Sequence, residues 1–160
     1  MNIFYLDESP IDCATYHVDK HVVKMILEYA QLLSTAHRVL DKSSNSLFYK
    51  ETHVNHPCAI WVRQSSLHYT WLHNLLVSLC KEYTFRYGKV HKVASSFLLL
   101  ELRSLPKNIP YSGFVEPPKA MPDECKVSST IRSYHNYYNL HKRKLFVWTK
   151  REAPYFVHFQ

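Results

Sequence analysis

The sequence predicts an all-α, mainly helical fold: a compact single-domain helical bundle over residues 1–160 with one Pro-rich ordered loop. Three observations carry this. Only 2 Gly occur in 160 residues, too few for a turn-rich β protein. Two long segments repeat apolar residues at helical spacing, each behind a start signal. Hydrophobic residues make up 46% of the chain, enough for a core without disulfide or metal staples.

"IFYL" reads as a short extended apolar start. "SPID" then opens a helix, with Ser9 as N-cap, Pro10 in the first turn and Asp12 three residues beyond the cap. Its pattern runs from about Ile11 to Val39, with allowance for a break, and "DKSSNS" follows as a polar loop. Asn55, His56 and Pro57 start a second long helix. Ile60, Trp61, Leu67, Trp71, Leu75, Leu76, Leu79 and Tyr83 give it an apolar face, and Gly88 stops it after Tyr87. The 11–39 and 57–87 segments should pack on each other through these faces. A third helix fits residues 90–104, with Pro106 beyond its end. "PKNIPYSGFVEPPKAMPD" holds five Pro and cannot be regular structure, yet carries Ile109, Tyr111, Phe114, Val115 and Met121. It reads as a packed loop rather than a linker. A fourth helix fits 128–144, capped by Ser128 or Ser129, and the aromatic tail "FVWTKREAPYFVHF" should dock on the body.

The formal charge is +7 and the pI about 9.2, which suits a nucleic acid or nucleotide partner. The same charge would also serve solubility alone. The four Cys, at 13, 58, 80 and 125, show no CxxC spacing. With no secretion signal before them they read as reduced, buried thiols in a cytoplasmic protein. No apolar run is long enough to span a membrane, so no membrane partner is expected. The oligomeric state is not legible.

The polar residues of "DKHVVKM" are the most informative. His17, His21, Lys24 and Glu28 recur at helical spacing as a narrow stripe. Val18, Val22, Met25 and Tyr29 lie beside it, and Val23, Ile26, Ala30 and Leu33 extend the apolar surface around the helix. One reading is a solvated edge with weak Lys24–Glu28 support. The other is a site, because burying such groups unpaired would cost several kcal/mol, roughly, and a cleft would avoid that cost. A carboxylate beside a lysine and two histidines is an acid/base set, which makes Glu28, Lys24, His21 and His17 the catalytic candidates. His17 and His21 have HxxxH spacing, but zinc needs a third ligand and Lys24 would repel it. No metal and no cofactor are expected. The candidates for holding nucleic acid or nucleotide are Lys20, Asn55, His56, Arg63, Arg86, Lys89, His91 and Lys150 as polar or basic contacts. Tyr134, Tyr138 and Trp148 are the candidates for stacking on a base. Aromatics at helical spacing also suit a core.

"LDESPIDCATYHVDKHVVKMILE", "THVNHPCAIWVR", "EYTFRYGKVHK" and "AMPDECK" together resemble a family of small uncharacterised proteins of tailed phages and other large DNA viruses, which would place the protein in a host cytoplasm. The layout also resembles, distantly, the all-helical pyrimidine-dimer DNA glycosylases. That family carries a histidine seven residues before its catalytic glutamate, a spacing that His21 and Glu28 share. Bacterial relatives carry an Asn-His-Pro before a following helix, as Asn55, His56 and Pro57 do here. The resemblance implies a compact helical fold, a catalytic glutamate and an N-terminal α-amine that attacks the sugar C1′. The family's arginines one before and three after the glutamate are replaced by Leu27 and Gln31. Residue 2 is Asn, whose size disfavours removal of Met, so an amine nucleophile would be that of Met1 itself or would be absent.

Two classes of function follow. The first is an enzyme on a nucleic-acid base or nucleotide, a glycosylase-like activity using Glu28. The second is a binding protein without catalysis, which sequesters a nucleotide or inhibits a host enzyme.

Overall fold

The computed structural model describes residues 1–159. Among them are seven α-helices and no strand. In order they are α1 (Pro10–Tyr16), α2 (Asp19–Asp41), α3 (Pro57–Gln64), α4 (Ser66–Tyr87), α5 (Lys92–Ser95), α6 (Leu98–Glu101) and α7 (Thr130–His141). Single 3-10 turns follow at Asp123–Cys125 and Arg143–Leu145.

The first long helical pattern is broken at His17 and Val18, whose extended backbone (ψ 132° and 155°) separates α1 from α2. Ser9 caps α1 through its bond from the Asp12 N–H. The second pattern, expected as one helix, divides at Ser65 (φ −154°, ψ 139°). Tertiary contacts cause that break: Ser65 Oγ donates to Ser112 O, and the Ser66 N–H donates to Pro110 O. The loop thus takes hydrogen bonds that would otherwise continue the helix. Gly88 ends α4 in the left-handed conformation at φ 68°. The 90–104 segment forms only α5 and α6, interrupted at extended Ser96 (ψ 165°). Ser129 caps α7.

α4 is the central element. It packs on α1, α2 and α3, and α2 also packs on α3. Tyr69, Leu72, Leu75, Leu76 and Leu79 of α4 meet Val22, Ile26, Tyr29 and Leu33 of α2 in one hydrophobic cluster that reaches from Ile3 to Phe156. The Pro-rich loop is ordered: Trp61 Nε1 donates to Val115 O, and the Val115 N–H donates to His68 Nε2. The tail docks through Trp148 and Phe156, the latter stacked on His135 at 3.6 Å.

Residues 1–6 position the site. Ile3 to Leu6 are buried, yet no strand pairs with their backbone. Buried peptide groups need partners, and here side chains supply them. The Phe4 N–H donates to Tyr29 Oη, Cys13 Sγ donates to Phe4 O, and His135 Nε2 donates to Leu6 O. Asn2 Nδ2 donates to Ala120 O at 2.7 Å, which moors the start of the chain to the Pro-rich loop.

Candidate active site

Met1 brings its amino nitrogen to 3.5 Å from Glu28 Oε1. The other carboxylate oxygen, Oε2, lies 3.9 Å from Lys24 Nζ. Both groups line a cleft of about 200 Å³ with Asn2, Phe4, His21, Met25, Tyr137 and Lys142. Glu28 is half-buried and Lys24 stands exposed on the rim. The second cation, Lys142, lies over the Tyr137 ring at 4.9 Å.

His21 forms a wall of this cleft, stacked on Phe4 at 4.2 Å. Its Nδ1 is 2.9 Å from Tyr138 Oη, which also accepts the Val18 N–H. The hydroxyl proton of Tyr138 has only Nδ1 to go to, so Tyr138 donates to Nδ1 and the imidazole proton sits on Nε2. His21 therefore offers the cleft an N–H donor. Burial pushes its pKa down to about 3, with His17, Lys142 and Lys24 acting in the same direction. At neutral pH it is an uncharged donor, not a cation. His56 caps α3 by accepting the Cys58 N–H on Nδ1. Burial lowers its pKa, and the positive charge of the Met1 amine lowers it further.

The structure thus draws together Glu28, Lys24 and His21. His17 has a different place. It is fully buried, Nδ1 donates to Cys13 O at 2.7 Å, and Nε2 accepts from Tyr29 Oη at 2.8 Å. Burial pushes its pKa down to about 4, and neither nitrogen is free for a reacting group or a metal. The helix break turns it from the polar stripe into the interior.

Several of the expected nucleic-acid contacts are also internal. Arg86 is buried: it donates to Glu82, Asp19 and the backbone oxygens of Thr15 and His17. Those carbonyls are orphaned at the end of α1, so the guanidinium closes a helix terminus and is buried away from any phosphate. Tyr134 and Tyr138 are fully buried, with hydroxyls on Pro118 O and His21. Trp148 is buried with its indole N–H on Tyr16 O. These rings pack in the core and offer no open face to a base. Arg63 donates to Val54 O, and His91 caps α5. Lys20, Asn55 and Lys89 are exposed but do not line the cleft, nor does Lys150, which donates to Phe85 O.

Tyr137, Lys142 and Asn2 are cleft residues that the sequence analysis did not select. Tyr137 sits next to Tyr138 on a helix whose two tyrosine faces diverge, one to the core and one to the cleft. Only knowledge of the α2–α7 contact tells them apart.

A nucleophilic amine beside a carboxylate, an N–H donor and two rim cations suits attack on an electrophilic sugar carbon flanked by phosphates. A family model described as pyrimidine dimer DNA glycosylase matches residues 1–95, more than half of the 160-residue chain. The chain belongs to that family. No curated protein and no solved structure matches it. The glycosylase match spans α1 to α5 and so includes Met1, His21, Lys24, Glu28 and His56, whereas Tyr137 and Lys142 lie outside it. Membership of a DNA-glycosylase family makes nucleic acid the partner of this protein. Among the described residues no helix is long and apolar enough to cross a membrane.

Proposed function

We propose that this glycosylase-family protein cleaves the glycosyl bond of a base in pyrimidine-dimer DNA by amine catalysis, with the residue-1 nitrogen as nucleophile and Glu28 as its acid/base partner. The separation of 3.5 Å between that nitrogen and Glu28 Oε1 carries the reading. Lys24 Nζ is farther from the carboxylate, at 3.9 Å, and stands exposed on the rim, so residue 1 is better placed to attack than Lys24.

In this mechanism the neutral amine attacks C1′ of the damaged nucleotide. The N–C1′ bond forms as the C1′–base bond breaks, and the base takes that electron pair and a solvent proton while it stays tethered to its dimer partner. Glu28 takes the proton from the nitrogen and stabilises the positive charge that builds on the sugar. The same proton returns to ring oxygen O4′ as the sugar opens to an imine. His21 Nε2–H is placed to hold a sugar or phosphate oxygen. Lys24 and Lys142 on the rim hold the flanking phosphates.

Incubation with a duplex bearing one pyrimidine dimer, in the presence of borohydride, tests the reading. The expected result is a covalent protein–DNA adduct on damaged but not undamaged duplex, mapped by peptide mass spectrometry to residue 1. An adduct on Lys24 would move the nucleophile. Tight binding with neither adduct nor glycosyl-bond cleavage would overturn catalysis in favour of sequestration.

A further inference from the structure

The cleft explains what the amine and carboxylate do, but not what holds them at 3.5 Å. Residues 1–6 belong to no helix or strand, so nothing in regular structure sets their register against α2. A closed loop of buried hydrogen bonds does. The Phe4 N–H donates to Tyr29 Oη at 3.2 Å, and Tyr29 Oη donates to His17 Nε2 at 2.8 Å. His17 Nδ1 donates to Cys13 O at 2.7 Å, and Cys13 Sγ returns to Phe4 O at 3.1 Å. Each proton has one direction. Because Nδ1 faces a carbonyl it carries the imidazole proton, so Nε2 accepts and the Tyr29 hydroxyl is free to accept the Phe4 amide. Cys13, His17 and Tyr29 are fully sealed from solvent, and Phe4 nearly so.

Tyr29 follows Glu28 directly on α2. One side chain enters the cleft; the next turns into the core and grips the backbone three residues after the amine. The same helical turn therefore fixes both reacting groups. We propose that Tyr29 and His17 are positioning residues, which hold the residue-1 amine against Glu28 by clamping the Phe4 backbone. His17, a catalytic candidate by its spacing, acts through Tyr29 and touches no reacting atom. The catalytic consequence rests on the amine mechanism proposed above; the clamp itself does not.

Tyr29→Phe removes one hydroxyl and opens the loop at two points. Tyr69→Phe is its control. Tyr69 is an equally buried tyrosine with its hydroxyl on Leu102 O and His37, away from the cleft. Tyr29→Phe is expected to lower kcat for glycosyl-bond cleavage by about 10-fold or more, with KM for DNA within about twofold, since small misplacements of reacting groups cost 10-fold to 100-fold. Tyr69→Phe should lower the melting temperature similarly and leave kcat within about twofold. The second readout needs no substrate: the time profile of residue-1 carbamylation by cyanate at one pH. Glu28, Lys24, Lys142 and His21 line the cleft with the amine, so its displacement should move the profile in Tyr29→Phe and not in Tyr69→Phe.

If the two variants are alike in both readouts, the positioning role is overturned. If wild type breaks no glycosyl bond but Tyr29→Phe still moves the carbamylation profile, the clamp stands and the amine mechanism falls. If wild type is active and Tyr29→Phe changes neither kcat nor the profile, the reverse holds. Should Tyr29→Phe not fold, His17→Asn carries the same expectations, because it keeps a donor towards Cys13 O and removes the acceptor for Tyr29.

Discussion

Glu28 on α2 and Glu82 on α4 sit in stretches of similar make-up, each with an acid, a base and aromatic or apolar neighbours within two turns. In space they are opposites. Glu82 is buried and saturated: Oε2 accepts from Arg86 Nε at 2.9 Å and from Arg151 Nε at 3.0 Å, and Oε1 accepts from Arg151 Nη2 at 2.8 Å. Arg86 continues to Asp19, and Asp19 to the Thr149 N–H and hydroxyl. That network ties the α1–α2 break, α4 and the C-terminal tail together. Glu28 has no short hydrogen bond, only two cations at 3.5 and 3.9 Å and a cleft in front of it. The comparison teaches that a charged cluster is structural when its donors and acceptors are filled from within. It is a candidate site when they are not.

Acid should separate the two regions with the largest effect. His17 and His21 are held neutral by burial, down to about 4 and about 3. In the unfolded chain they titrate near 6.5, roughly the model-peptide value. Below that pH the unfolded state binds protons that the folded state refuses. Stability should then fall from pH 6.5 towards 4, by at most about 1.4 kcal/mol per pH unit for each histidine. His37, His56, His68, His73, His91 and His135 are also lowered, burial being the main cause, and act in the same direction. Glu82 behaves differently. Burial raises its pKa, but the Arg151 and Arg86 guanidiniums outweigh burial and hold it below 4.5. Its contribution is complete above the unfolded glutamate value and is lost only as pH falls through the lower folded one. Melting temperature against pH should therefore show a first decline below 6.5 and a second below 4.5, with the second shallower in Glu82→Gln, where Asp41, raised by burial but lowered on balance by its hydrogen bonds, remains. A flat profile between 6.5 and 4.5 would count against the buried neutral histidines.

The same substitution at the two glutamates gives the next largest contrast. Glu82→Gln should cost about 3 kcal/mol, roughly 6–12 °C in melting temperature, because it leaves the buried Arg86 short of a counter-charge. It should leave adduct formation per folded molecule unchanged. Glu28→Gln should reverse the pattern. Gln keeps the size and one acceptor but cannot ionise, so trapping and glycosyl-bond cleavage should fall by about 100-fold or more. The melt should move by less than about 1 kcal/mol, since the two cations near Glu28 are loosely placed. A stability loss at Glu28 with retained activity would make the cleft merely structural.

The smallest effect concerns the rim. On dimer-bearing duplex, Lys24→Ala and Lys142→Ala should each reduce the log–log salt slope of binding by about 0.9, one phosphate apiece. Lys89→Ala and Lys150→Ala, which do not line the cleft, should leave the slope unchanged. A loss at Lys150 equal to that at Lys24 would extend the footprint over the tail and the ionic network.

Local signals were enough to predict the helical class, the starts at Ser9, Pro57 and Ser129, the stop at Gly88 and the packed Pro-rich loop. Each depends on residues within a turn or two: a capping oxygen, a fixed proline φ, a glycine free to adopt positive φ. Helical period likewise placed Glu28, Lys24 and His21 on one stripe, and the structure keeps those three at one cleft. The break at Ser65 was not legible, because the partners that cause it, Pro110 and Ser112, lie some 45 residues away.

What the chain of residues determined by itself is therefore the set of elements and the chemical inventory of the α2 stripe, since period and capping are properties of neighbours in sequence. Tertiary structure alone decided which of those charges remain free. His17 and His21 are four residues apart with the same side chain, yet one is sealed between Cys13 and Tyr29 while the other turns an N–H to the cleft. Arg86 reads as a phosphate ligand and Lys142 is not singled out by its neighbours, yet the first fills the end of α1 and the second reaches the rim. Most decisively, residue 1 meets Glu28 only because a backbone without a strand partner had to find side chains to bond, and it found them on α1, α2 and α7. A buried peptide group must be paired, but no local rule says with whom.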